Sequence, residues 1–232
     1  MYYILESVDV LKMHLEDLST LSKAGVSVAM KITGVSIVVV LALFLAINRP
    51  EYLPSISEAA ARGIPRLVNS VGVGLGGSLF LVSGILWLIC GYKQTEGWAI
   101  HAKIIFAFVV HLISSVSLVS QAIIPINMRA ETCIHRTFAA IFFLTAFLLC
   151  YLFENIERAI REVCASVRTL RSIVLFVGVS SLVFGGNLAT AWGNFMSHNP
   201  RLAELHALTG FSCIQYIIVF SLLIYVYTFS LN

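Results

Sequence analysis

Two histidines stand where long apolar runs begin, His135 at the fourth run and His206 at the sixth. A histidine beside a serine or a carboxylate is the usual equipment for general-base chemistry, because imidazole can take up and return a proton near neutral pH. The polar residues that fall on the same side of the alternating runs are Ser55, Ser57, Glu58, Asn127, Glu131, Asn187 and Glu204. Gathered at one end of a helix bundle, such a cluster can hold a polar headgroup, with both histidines facing one pocket. The plainer alternative is that these are solvated residues of a membrane interface.

A second polar group lies within the third run, where His111, Ser114, Ser115 and Gln121 share about one face at 100° per residue. Hydrogen bonding between helices is the simpler reading, and a polar lining for a lipid headgroup or a catalytic histidine the sharper one. Gly72, Gly74 and Gly77 match the GxGxxG dinucleotide fingerprint. No strand precedes them and they sit in an apolar run, so close helix contact, as through Gly72 and Gly76, is the better account. Gly178, Gly185 and Gly186 invite the same reading. The cysteines show neither zinc spacing nor a disulfide framework, and no metal or other cofactor is expected.

The elements that must position these groups follow from composition. Hydrophobic residues make up 59% of the 232 and charged residues 12%, about half the charged share of soluble domains. Six runs of roughly 20 apolar residues, the length that crosses a bilayer core, cover 27–47, 67–90, 104–124, 134–153, 173–192 and 207–229. The expectation is an all-α polytopic membrane protein, a six-helix bundle with short loops occupying residues 23–232. Residues 1–22 form a cytosolic N-terminal segment, either a short amphipathic helix on the membrane surface or a mobile tail, and lack the pattern of a secretory signal.

Nine Lys and Arg lie on the N-terminal side and six opposite, which favours both termini in the cytosol. A net charge of +3 spread over several loops argues against nucleic-acid binding. Glu154/Arg158 and Glu157/Arg161, each at i,i+4, predict that the fourth helix continues past the membrane as a paired stem. No acidic residue is expected at mid-membrane depth, which argues against a charge-driven pump.

The segment Tyr52-Leu53-Pro54-Ser55-Ile56-Ser57, with Pro65 eight residues later and a glycine-bearing helix beyond, resembles the first luminal loop of the Frag1/DRAM/Sfk1 superfamily. Cys133-Ile134-His135 at the fourth run and Glu204, Thr209, Phe211 and Gln215-Tyr216 near the last extend the resemblance over nearly the whole chain. The form is closest to the Cwh43 N-terminal-like proteins of the post-GPI-attachment factor 2 branch. Gln215 stands where that family often has a carboxylate, and the HxxxxD acyltransferase pattern is absent.

The resemblance implies a Golgi or endoplasmic-reticulum membrane protein that supports GPI-anchor lipid remodelling, at the step where a lyso-GPI regains its sn-2 chain. Its partners would be membrane lipids, including the GPI-anchor lipid and an acyl donor, and other membrane proteins. On this reading His135 is the general base or headgroup anchor, oriented by Glu204 or Glu131. Tyr52, Ser55, Ser57, Glu58, His111, Gln121, Asn187 and His206 are the expected lipid-binding residues. The alternative is a non-enzymatic organiser of the lysosomal DRAM or plasma-membrane Sfk1 type, acting in autophagy or phosphoinositide kinase recruitment through the basic face at Arg158–Arg171.

Overall fold

The computed structural model describes residues 2–124, 129–197 and 199–230, with backbone only for 2–16, 129–132 and 230. The chain is all-α, with long helices α1 (Tyr2–Asn48), α3 (Gly63–Gln94), α4 (Trp98–Ile123), α5 (Arg129–Ile160), α6 (Ala165–Met196) and α7 (Pro200–Tyr227). A single turn, α2 (Ile56–Ala59), lies in the first loop, and a 3-10 turn (Thr228–Ser230) follows α7. Among the described residues, six helices are long and apolar enough to cross a membrane, as the six runs predict. This is a multi-pass membrane protein.

The helices outrun their apolar segments because helix-compatible polar residues flank them. α1 is continuous from Tyr2, so residues 2–22 belong to the same helix as the first apolar run. α5 continues to Ile160 past the Glu154–Arg158 and Glu157–Arg161 pairs, the stem expected from their spacing. Breaks come where the backbone demands them. Three residues join α3 to α4, with Gly97 at φ 98°, a left-handed value that a glycine adopts without strain. Pro200 sits in the first turn of α7 behind the capping side chain of Asn199, which accepts from the Arg201 amide.

Packing divides the bundle. α1, α3, α4 and α5 pack in succession, whereas α6 packs mainly on α7 and touches α5 sparsely. The small residues act where neighbours come closest: Gly72 faces Ser36, and Gly76 faces Thr33 and the Ala29 carbonyl of α1. Gly74 faces open space. Phe176, Val183, Phe184, Leu188 and Phe195 of α6 point outward, as a lipid-facing surface requires. Because Gly193 lies against the Ala203 carbonyl and Ala207, its replacement by valine should push α6 from α7 and cost about 1–3 kcal/mol. Gly74→Ala should leave the unfolding midpoint in detergent unchanged, and equal midpoints for both variants would contradict this packing.

The two ends of the bundle differ in chemistry. At one, the Ser57 end, lie the α1–α3 loop, the start of α5 and the α6–α7 turn. At the other, the Glu157 end, Arg171 of α6 is buried and pairs with Glu154 (3.0 Å) and Glu157 of α5. Its Nε donates to Thr228 Oγ1 at 2.6 Å, and its guanidinium lies 3.9 Å from the Phe229 ring centre. Tyr225 of α7 donates to the Cys150 carbonyl at 2.9 Å, so three helices are tied together there.

Candidate functional site

The first loop is folded from its own sequence. Ser55 caps α2: its hydroxyl accepts from the Glu58 amide at 3.2 Å, while Glu58 Oε2 accepts from the Ser55 amide at 2.8 Å. This reciprocal pair is a capping box. Tyr52 donates to Glu58 Oε1 at 3.2 Å. Burial and then the neighbouring Glu58 charge raise the Tyr52 pKa, so its hydroxyl stays a donor. Tyr52, Ser55 and Glu58, expected at a headgroup, are therefore engaged in shaping the loop.

α7 fixes where that loop sits. Thr209 Oγ1 accepts from the Leu53 amide at 3.4 Å, Gln215 Oε1 accepts from the Ile56 amide at 2.9 Å, and Tyr216 donates to the Pro54 carbonyl at 3.0 Å. The two most distinctive segments of the chain, Tyr52–Ser57 and Thr209–Tyr216, thus meet through side chain to backbone bonds.

Held this way, Ser57 reaches His135. Ser57 Oγ and His135 Nε2 are 2.9 Å apart, and His135 Nδ1 is 2.8 Å from the Ile124 carbonyl oxygen. A carbonyl only accepts, so Nδ1 carries the proton; in the neutral ring Nε2 is then the acceptor for the serine O–H. The result is a serine hydroxyl, a base and an orienting acceptor in line, the geometry that activates a nucleophile. The Ile124 carbonyl takes the orienting place, and Glu204 does not.

The pair opens onto a cavity of about 110 Å³ among α1, α3, α4, α5 and α7. Its walls are mainly apolar, from Ile37, Val73 and Leu118 near the Ser57 end to Leu149, Phe153 and Phe229 at depth. The wall along α5 from His135 to Phe153 spans 18 residues, about 27 Å at the helical rise. That is nearly the depth of a hydrocarbon core, about 30 Å, and exceeds the roughly 15 Å of one leaflet. Polar groups gather at the mouth, where Arg66, Asn69, Gln121 and Gln215 join Ser57 and His135. Deeper, the hydroxyls of Thr33 and Ser114 line the cavity without a hydrogen-bond partner among the described residues.

The remaining expected residues are dispersed. Gln121 lies in the cavity wall, but His111 faces α3, donating from Nε2 to the Leu81 carbonyl at 3.1 Å with its ring against Gly84. Asn187 is exposed on α6, a helix that contributes nothing to the described cavity wall. Glu204 is exposed near the start of α7. His206 lies nine residues, about 13 Å, before Gln215 and beyond the loop, so it does not share a pocket with His135. The Glu131 side chain and Asn127 lie outside the described residues.

Asn69 and Arg66 were not anticipated from the sequence, although a single amide early in an apolar run is itself a signal. Among the described residues no group of three or more His, Cys, Asp or Glu could hold a metal ion. The arrangement sets a mainly apolar cavity beside a serine hydroxyl and a base. Compared with protein-family models, with curated proteins and with solved structures, the chain matches none.

Proposed function

We propose that this protein handles lipid acyl chains in a membrane of the secretory pathway, in the manner of the Frag1/DRAM/Sfk1 superfamily, and supports reacylation of lyso-GPI at sn-2. In this reading the membrane is that of the Golgi or endoplasmic reticulum, both termini are cytosolic, and the Ser57 end faces the lumen. The observation that carries it is the Ser57–His135 pair at the polar mouth of a deep apolar cavity. A chain in the cavity leaves its glycerol at the mouth, within reach of the base.

The organiser reading draws less support. It needs basic groups at the Glu157 end free to recruit a partner, whereas Arg158 and Arg161 pair with Glu154 and Glu157, and Arg171 is buried between the same carboxylates.

The test is to express His135→Ala in cells lacking the protein, then measure surface retention of GPI-anchored proteins and the sn-2 chains of their anchors. Lyso-anchors should accumulate and surface retention fall, with the variant present at normal level in the membrane. Normal anchor lipids would remove His135 from any essential role.

A further inference from the structure

We propose that Ser57 is a nucleophile that carries the acyl chain covalently, so that transfer proceeds through an acyl-serine in two steps. This rests on the lipid-handling reading above and adds to it the reaction path and the class of donor. The serine O–H points at His135 Nε2 at 2.9 Å, with the Ile124 carbonyl holding the imidazole in the tautomer that accepts. The apolar cavity begins at the same two side chains, so a chain bound there has its carboxyl carbon at Ser57.

In the first step Ser57 Oγ attacks the carbonyl carbon of an activated acyl group, a carboxylic ester or thioester, while its proton passes to His135 Nε2. The bond from that carbon to the donor's oxygen or sulfur breaks, and the leaving alcohol or thiol takes the proton from Nε2. Ser57 is left as an ester. In the second step the sn-2 hydroxyl of a lyso-lipid attacks the ester carbon and gives its proton to Nε2. The Ser57–acyl bond breaks, and the proton returns to Ser57 Oγ. No oxidant, reductant or metal enters the balance.

Each step develops negative charge on the carbonyl oxygen, which must meet a fixed donor. Gln215 is placed for it. Its Oε1 is held by the amide of Ile56, the residue before Ser57, which leaves two N–H donors of the side-chain amide at the cavity mouth. A carboxylate at this position would supply acceptors only. Glutamine here therefore suits an oxyanion, and Gln215→Glu should slow both steps.

The experiment uses the full chain, purified in nanodiscs and incubated without lyso-lipid acceptor so that the acyl-serine persists. One arm presents phosphatidylcholine vesicles with isotope-labelled acyl chains, the other the same acyl group as its coenzyme A thioester. Peptide mass spectrometry should find the labelled acyl group on Ser57 in one arm, which names the donor. His135→Ala should reduce labelling roughly 10²-fold or more. Ser57→Cys should give a thioester that neutral hydroxylamine releases.

No label on Ser57 from either donor, or transfer to added lyso-lipid at the wild-type rate in Ser57→Ala, would overturn the acyl-serine and leave one-step transfer. These failures are distinct from failure of the proposed function. Labelled Ser57 with normal GPI lipids in cells lacking the protein would retain the nucleophile and discard the GPI anchor as its acceptor.

Discussion

Replacing Arg171 by methionine is expected to destabilise the bundle by about 3–5 kcal/mol, the cost of breaking a buried ion pair from one side. Glu157 is fully buried and would lose the partner that shares its Oε2, and Glu154 would lose its 3.0 Å contact. Arg161 still pairs with Glu157 from a half-buried position, which places the loss toward the lower end of that range. The consequence reaches the site because α7, which anchors the first loop through Gln215 and Tyr216, is tied to α5 and α6 at its other end by this network.

Denaturant unfolding of the purified protein measures the effect. The double variant Arg171→Met, Glu157→Leu should recover much of the loss, since replacing both members of a buried pair by apolar groups is often neutral. A single variant as stable as the wild type would show that the network adds nothing.

The second large effect is expected from Ala146→Phe. Ala146 stands on the α5 wall between the mouth and the deep end, and an aromatic ring there occupies the space that a chain would use. Cavity volume costs about 24 cal/mol per Å³, so filling most of about 110 Å³ can return up to about 2 kcal/mol of stability. Lipid transfer should fall at least tenfold, because the acyl chain no longer fits while Ser57 and His135 are untouched. Stability rising as activity falls is the behaviour of a void kept for function. Unchanged transfer at unchanged or greater stability would mean that the cavity is a packing defect.

The spans were legible because the bilayer sets their length: each apolar run coincides with a long helix, passing the end of α4 by one residue and that of α7 by two. The Glu154 and Glu157 stem was legible from i,i+4 spacing, yet the burial of Arg171 against it was not. That contact joins residues 14 and 17 positions apart across two helices, and local spacing is silent on it.

At the site, residue types pointed to serine, histidine and acid, and the fold selected among them. Ser55 and Glu58 are three apart, the capping-box spacing, which explains why Ser57 and not Ser55 remains to meet His135. Glu204, His206 and Asn187 share an end of the bundle with the site without sharing its cavity, because an end is set by sequence order and a pocket by helix rotation and loop position. A backbone carbonyl, Ile124, orients the base, and residue types cannot announce a backbone partner.

Depth-resolved photolabelling shows whether the cavity receives an acyl chain with its carboxyl end at Ser57 and His135. Phospholipids bearing a diazirine beside the carboxyl group, or at the chain terminus, are incorporated with the protein in nanodiscs, and labelled residues are mapped. The carboxyl-end probe should mark the mouth, at Ser57, Gln121 and Gln215, and the terminal probe the cavity wall between Phe142 and Phe153. Both should be lost in Ala146→Phe. Labelling confined to the outward faces of Phe176, Phe184 and their lipid-facing neighbours, with the cavity walls unmarked, would contradict the account.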